Sequence, residues 1–410
     1  MLQLTIRQIG PIKNITLNLN RFNVLIGPQS SGKSTVAKII SFCLWLEKDV
    51  LMQRTTEYIN RTFIEKQLLE FHKLKNYLND GYSISFQGEI LNFTLDEKHC
   101  DVQLNKGFEQ CKIGKIAYIP AERNAVTLSN IASLKMPENN TRSFIFDWLE
   151  IHQKFQKKNA VDLLKFKLKY YYEETSQKDI IILENGKEIT LEEASSGLQS
   201  VVPLYVYMYY LTHWVYEHQE DISFNKEERI KNIVAQELQK VLERTDITML
   251  GANKFFDLIR EQQSALKENL SHTHYSNIIL EEPELNLFPE TQKDLIYDML
   301  GMINNSRDRI VMTTHSPYLL YALNNCMLCY LAQDNIPKED EELYLLKKSM
   351  INPADVSVWE IKDGAFAPYK ENPHFTIQDE KGLIRNNYFD RIMKNIMADF
   401  SSLMDYCDED

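Results

Sequence analysis

The chain is expected to fold as an α/β protein, and three observations carry that expectation. Apolar runs of strand length alternate with helical patterns along most of its 410 residues. The run Phe22–Ile26 passes directly into Gly27-Pro28-Gln29-Ser30-Ser31-Gly32-Lys33-Ser34-Thr35 and then into a helical pattern opened by Val36-Ala37-Lys38-Ile39-Ile40. Two later apolar runs, Asn277–Leu280 and Arg309–Thr314, end in Glu281-Glu282-Pro283-Glu284 and in His315-Ser316-Pro317. Chemistry-bearing residues at the C-terminal ends of buried strands are the pattern of a parallel sheet flanked by helices.

In chain order, Leu2–Ile6 and Ile15–Leu19 alternate at period 2 around Gly10-Pro11 and predict a pair of strands before the Phe22–Ile26 strand. Residues 36–77 read as helix, first apolar and then mixed in charge. Residues 82–119 read as strand-rich, closing with Lys115–Ile119 and the sequence Pro120-Ala121-Glu122-Arg123. From 124 to about 175 the pattern is helical and charged. It has a local excess of lysine (Lys154, Lys157, Lys158, Lys165, Lys167, Lys169) beside Phe155, Phe166, Tyr170, Tyr171 and Tyr172, and a solvated helical face explains it better than a nucleic-acid surface. Asn185-Gly186 between Ile180–Leu183 and Ile189–Leu191 predicts a hairpin. After Ala194–Ser200 an apolar helix runs through about Trp214, and helices follow over 226–245, 250–270 and from Pro289. After 330, strands are expected at Cys329–Leu331, Leu343–Leu346 and Val358–Ile361, and a closing helix at Tyr388–Leu403, with a frayed tail at Asp408–Asp410.

The Gly27–Thr35 loop is a phosphate cradle by its chemistry. Gly27 and Gly32 allow the backbone to curl so that successive N–H groups point inward, together with Ser30 and Thr35 and the N-terminus of the following helix. Lys33 brings a full charge to the outer phosphates, and the Ser34 hydroxyl is placed to hold Mg²⁺. Glu281 and Glu282 have the form of a Walker B strand end: the first acid near the metal and its water shell, the second, as catalytic residue, polarising an attacking water. His315 ends the next strand and is expected to sense the terminal phosphate. Ser195-Ser196-Gly197-Leu198-Gln199, before a helix, offers a second anion site.

Composition bounds the rest. Net charge is −12, which disfavours a general nucleic-acid magnet, and 44% hydrophobic residues supply an ample core. No run approaches the ~20 apolar residues of a membrane span, and the start lacks the order of a signal peptide, so a cytoplasmic protein is expected. Cys326 and Cys329 form a lone CxxC that reads as buried thiols rather than a zinc or redox site.

Taken together, Gly27–Thr35, Ile119–Arg123, Ser195–Gln199, Leu280–Glu284 and Thr314–Pro317 resemble the ABC-type ATPase head shared by RecF, SMC and OLD proteins. The likeness is nearest to the OLD-like, AAA-labelled ATPases of prokaryotic anti-phage defence, and it spans about residues 1–330. The sequence departs from the pattern at Glu281, where most ABC proteins have Asp, and at Leu198, which replaces a second signature glycine. Leu285-Asn286-Leu287 stands at the D-loop position, no Q-loop glutamine is assigned, and the region after 330 lacks the acidic cluster of a Toprim nuclease.

The resemblance implies a mixed-sheet lobe (1–123), a helical insertion (124–178), a parallel-core lobe (179–335) and a strand-helix extension (336–410). It implies ATP and Mg²⁺ as cofactors. Arg123, Ser195, Ser196, Gly197 and Gln199 would join the P-loop residues at nucleotide, the signature loop serving a second copy of the chain. It further implies a dimer or higher oligomer acting as sensor or scaffold with a separate effector, a nuclease or toxin. The alternatives are a DNA-end-binding RecF/SMC-like ATPase, for which the lysines of 154–169 are the local support, and a nucleotide-gated scaffold that does not hydrolyse, against which Glu282 argues.

Overall fold

The computed structural model describes residues 2–128, 131, 135–163, 167–218, 228, 230–235, 239, 252–303, 305–367 and 376–407. Most of the predicted helix 226–245, the tail 408–410, and Lys165 and Phe166 lie outside the described residues.

The fifteen strands among the described residues form three sheets. β1 (Leu2–Ile9), β2 (Ile12–Leu19), β4 (Leu78–Gln87), β5 (Leu91–Asp96) and β6 (Cys100–Leu104) make an antiparallel sheet in the order β2-β1-β4-β5-β6. β8 (Val161–Leu163), β9 (Leu168–Glu173), β10 (Lys178–Ile182) and β11 (Glu188–Thr190) make a second, ordered β11-β10-β9-β8. Between them lies the central sheet of β3 (Phe22–Ile26), β7 (Gly114–Ile119), β12 (Tyr275–Glu281), β13 (Arg309–Thr313), β14 (Val356–Lys362) and β15 (Ala365–Phe366). Its order is β15-β14-β3-β13-β12-β7, and all its pairs are parallel except the β14–β15 edge.

The central strands are apolar without interruption because both faces are covered. Along them, alternate residues enter two different cores. Phe22, Val24, Ile26, Ile278, Leu280, Ile310 and Met312 pack on one side with the second sheet and the helices around it. Leu25, Ile279, Val311 and Ile361 pack on the other with the antiparallel sheet and helix α1 (Lys33–Gln53). Sandwiched between two sheets, α1 is apolar nearly all round, from Val36 and Ile39 to Phe42, Leu46 and Leu51. The remaining long helices are α2 (Asn140–Ile151), α3 (Ser196–Tyr209), α4 (Ala252–Ser271), α5 (Pro289–Met302), α6 (Pro317–Ala332) and α7 (Tyr388–Met404).

Several expectations are corrected. The helix over 36–77 stops at Arg54, which takes a left-handed φ of 59°. Only a short turn at Arg61–Ile64, a π-helical stretch at Glu65–Glu70 and a 3-10 turn follow. The helical pattern over 124–175 holds for α2, but Leu168–Glu173 is a strand, where three consecutive tyrosines suit a pleated surface better than a helix. Its lysines are not a bare cationic face: Lys157, Lys167 and Lys169 pair with Glu188, Glu184 and Asp162. Cys329–Leu331 is the last turn of α6, and Leu343–Leu346 lies in a helical turn capped by Asp340. Short apolar runs carry no period that separates strand from buried helix.

Candidate active site

The central sheet delivers three loops side by side. β3 ends in the Gly27–Thr35 loop, its neighbour β13 ends at His315, and the next strand, β12, ends at Glu281 and Glu282. The loop's two glycines are sterically required. Gly27 has φ 146°, and a Cβ there would lie 2.3 Å from the Ile361 carbonyl oxygen. Gly32 has φ 102°, and a Cβ would strike the Ile12 side chain at 2.5 Å. Ser30 also takes positive φ, 61°, as the loop curls toward the N-terminus of α1. Thr35 is buried in the first turn behind it.

Lys33 is buried, and its ammonium donates to the loop's own carbonyls, Gly27 O at 3.0 Å and Pro28 O at 2.9 Å. Burial lowers its pKa to about 8, against the opposing pull of Glu282 and Glu284. Across the opening, Glu282 Oε1 lies 3.4 Å from His315 Nε2. The hydrogen bond from His315, aided by the charges of Lys33 and Arg123, holds the Glu282 carboxyl below its usual range, so it stays ionised. Glu282 sits at φ 43°, a left-handed turn, and its N–H donates to Thr313 O at 3.0 Å.

Glu281 is buried beside Tyr118 and against the Ser34 hydroxyl. Burial raises its pKa, and its Oε1 has no hydrogen-bond partner. A buried, half-satisfied carboxylate next to a loop hydroxyl fits a divalent cation, and Mg²⁺ takes one or two such oxygens alongside substrate phosphates. Glu281 and Ser34 would hold it, and it would neutralise charge on the phosphates. Glu284 has a role not read from the sequence: its Oε1 accepts from the His315 backbone N–H at 2.5 Å, fixing the turn that carries the imidazole. Its position two residues beyond the second acid was the available signal.

Arg123 is not at the loop's mouth. It is fully buried and donates to five backbone carbonyls: Ser200 at 3.1 Å, Glu281 at 3.2 Å, Glu282 at 3.2 Å, Pro283 at 2.9 Å and Pro120 at 3.5 Å. The reading of Arg123 as a nucleotide ligand is corrected, because its donors are committed to the protein. It is a positioning residue that ties α3 to the Glu281–Pro283 turn.

Ser195–Gln199 forms a turn that leads into α3. Ser195 caps α3 through Leu198 N–H at 3.4 Å, and Ser195 and Ser196 are exposed. Gln199 spends both amide donors on Glu192 O and Ala194 O, at 2.9 and 3.2 Å, so it shapes the loop rather than offering itself to a ligand. Gly197 lets the Asn286 carbonyl approach to where a Cβ would be 3.1 Å away, and Asn286 Nδ2 donates to Ser200 Oγ at 2.9 Å. Among the described residues, no hydrogen bond joins Ser195–Gln199 to Gly27–Thr35. Cys326 and Cys329 are buried free thiols on α6.

Residues 250–320 match the family model of an AAA ATPase domain. That stretch carries Glu281, Glu282 and His315 and excludes the Gly27–Thr35 loop. No curated protein matches the sequence. Among solved structures, the chain is similar to the SMC head domain from Thermotoga maritima, at 12% identity and a TM-score of 0.37 over 78% of this chain and 90% of that one. It is similar to the Smc head domain with an extended coiled coil from Pyrococcus furiosus at 8% and 0.36, over 89% and 95%. Similarity to the recombination mediator protein RecF is at 11% and 0.31, over 89% and 97%. The α/β architecture stands on the strand order and register given above. No helix of the described residues is long and apolar enough to cross a membrane.

Proposed function

We propose that the protein binds and hydrolyses ATP with Mg²⁺ as an ABC-type head, in sites completed by a second copy of the chain. The observation that carries this reading is the arrival of three loops at the ends of the successive parallel strands β3, β13 and β12: the Gly27–Thr35 loop with buried Lys33, then His315, then Glu282, whose Oε1 lies 3.4 Å from His315 Nε2. Lys33 and the loop N–H groups bind the triphosphate, Glu282 orients and accepts from the attacking water, and His315 steadies that carboxylate and donates to the terminal phosphate. An ionised acid there favours turnover over a scaffold that only binds. Three of the lysines behind the DNA-end-binding alternative already have carboxylate partners, which weakens it.

The exposed Ser195–Ser196 helix start, with no hydrogen bond to its own Gly27–Thr35 among the described residues, is suited to cover the phosphates held by another protomer. The Glu281-Glu282-Pro283-Glu284 turn favours the OLD-like branch, hence a sensor or scaffold in anti-phage defence with a separate effector.

The test of the shared site mixes two inactive variants, Ser196→Arg and Lys33→Ala. In a mixed dimer one site carries both lesions and the other neither, so activity should return on mixing. Mixed dimers that form and stay inactive would rule out independent sites acting in trans.

A further inference from the structure

A cavity of about 630 Å³ opens at the end of the central sheet opposite the Gly27–Thr35 loop. Its walls include Arg21, just before β3, and the first residues of β7, β12 and β13, which are Gly114, Tyr275 and Arg309. Another wall is the second half of α1, where Glu47 and Lys48 lie. About 21 Å of helix separates Glu47 from Lys33, so the cavity is no part of the site described above. Its volume is that of a small-ligand pocket.

Its charge runs against that of the chain. The net charge is −12, yet five cationic side chains line the cavity, Arg21, Lys48, Lys112, Arg307 and Arg309, against the acids Glu47, Glu89 and Asp308. Two of those acids are subdued. Burial raises the Glu47 pKa to about 7, and its Oε1 accepts from Ile90 N–H at 2.7 Å. Asp308 is buried, and its Oδ1 accepts from Tyr216 Oη at 2.5 Å and Ser276 N–H at 2.8 Å.

Two guanidinium groups are held by the protein with donors to spare. Arg309 donates from Nε to Asn20 O at 3.2 Å and from Nη1 to Asn277 Oδ1 at 3.0 Å, and its Nη2 makes no hydrogen bond among the described residues. Arg21 donates from Nη2 to Ile303 O at 3.0 Å and pairs through Nη1 with Asp355 at 3.9 Å, while its buried Nε has no partner among the described residues. At the rim, exposed Lys112 and Arg307 make no ion pair among the described residues. The floor is apolar, with Leu44, Leu51, Ile116 and the Tyr275 ring, which Gly114 admits because a Cβ there would lie 2.4 Å from it. Cations over low-dielectric walls concentrate small anions. Guanidinium forks match phosphate oxygens, and several separate cations suit more than one phosphate.

We propose that this cavity is a second anion site, taking a small molecule with two or more linked phosphate groups. Arg21 and Arg309 bind it from the strand starts, Lys112 and Arg307 from the rim. The site stands independently of ATP at Gly27–Thr35.

Cys111, a free thiol on the cavity wall, gives a local readout, and Cys100 on β6, outside the cavity, an internal reference. The probe is inorganic triphosphate without magnesium, and peptide-resolved mass spectrometry follows alkylation of each thiol. At ~10 times its dissociation constant, triphosphate should slow alkylation of Cys111 about tenfold, since about a tenth of the sites stay open. Cys100 should be unaffected, and protection of Cys111 should persist in Lys33→Ala. Lys112→Glu and Arg307→Glu each replace an exposed cation, which the fold tolerates. Each should raise the triphosphate concentration needed by about tenfold or more. Every variant is compared with itself without probe, because the reversed charge also alters the thiol. Lys187→Glu, on the β10–β11 hairpin, should change nothing. Three results overturn the proposal: no protection at ~1 mM triphosphate, protection lost in Lys33→Ala, or protection indifferent to both rim reversals.

Discussion

Replacing Arg123 separates a positioning role from a nucleotide-binding one. Arg123→Lys keeps the charge but presents a single nitrogen where a planar fork now serves five carbonyls on three segments. A lysine satisfies some of them and leaves about two buried carbonyls without a donor. At about 1–3 kcal/mol for each orphaned group, the loss is about 2–6 kcal/mol, a large share of the ~5–15 kcal/mol that typically holds a domain together. The denaturant midpoint reads this directly. Because Arg123 also fixes the carbonyls of Glu281 and Glu282, the Glu282 carboxylate loses its aim and kcat should fall about tenfold or more, while affinity for a fluorescent ATP analogue stays within about threefold. The opposite pattern, stability kept within about 1 kcal/mol and nucleotide affinity lost, would refute the reasoning and return Arg123 to the phosphates.

Two further outcomes are expected. Glu282→Gln preserves shape and removes the acceptor charge, so ATP should bind and persist while turnover falls by on the order of 10²-fold or more; single-turnover decay of bound ATP measures it. The second concerns pH. Lys33 titrates at about 8 in the free loop, and phosphate favours its charged form, so nucleotide binding should take up about half a proton at pH 8 and weaken as pH rises through 8. The unfolded chain holds that proton up to the ordinary lysine range, so the free fold should instead gain stability from this group above pH 8. Calorimetry of a non-hydrolysable analogue in two buffers of different ionisation heat gives the proton count, and proton release would contradict the assignment.

Most of the parallel core was legible because its strands are short apolar runs that end in functional residues. Gly27–Thr35, Glu281-Glu282 and His315 were visible for the same reason: each marks a strand end, and the sheet order places the ends together. Arg123 was misread because an arginine after a strand looks alike whether its fork meets phosphate or carbonyls. Nothing local in the sequence tells how many backbone acceptors converge on it. The 168–173 strand was hidden behind lysines and tyrosines that suit a helix as well as a strand; it lies between β10 and β8 with Tyr170, Tyr171 and Tyr172 buried. The role of Asn286 depends on Gly197 lying close to it, and the two are far apart in the chain.

The register of the central sheet also orders events during synthesis. The strand that carries the P-loop, Phe22–Ile26, emerges early, yet its partners on either side are Arg309–Thr313 and Val356–Lys362. Phe22 waits for Val356, about 330 residues later, and at ~5–20 residues per second that is a delay on the order of tens of seconds. Meanwhile Leu2–Ile9 and Ile12–Leu19 can form their hairpin on the emerging chain. A ribosome that stalls before residue 350 leaves Phe22–Ile26 with one side unpaired and the Ile361 carbonyl missing from beneath Gly27. The strand that carries the Gly27–Thr35 loop thus gains its full set of neighbours only in chains translated through β14.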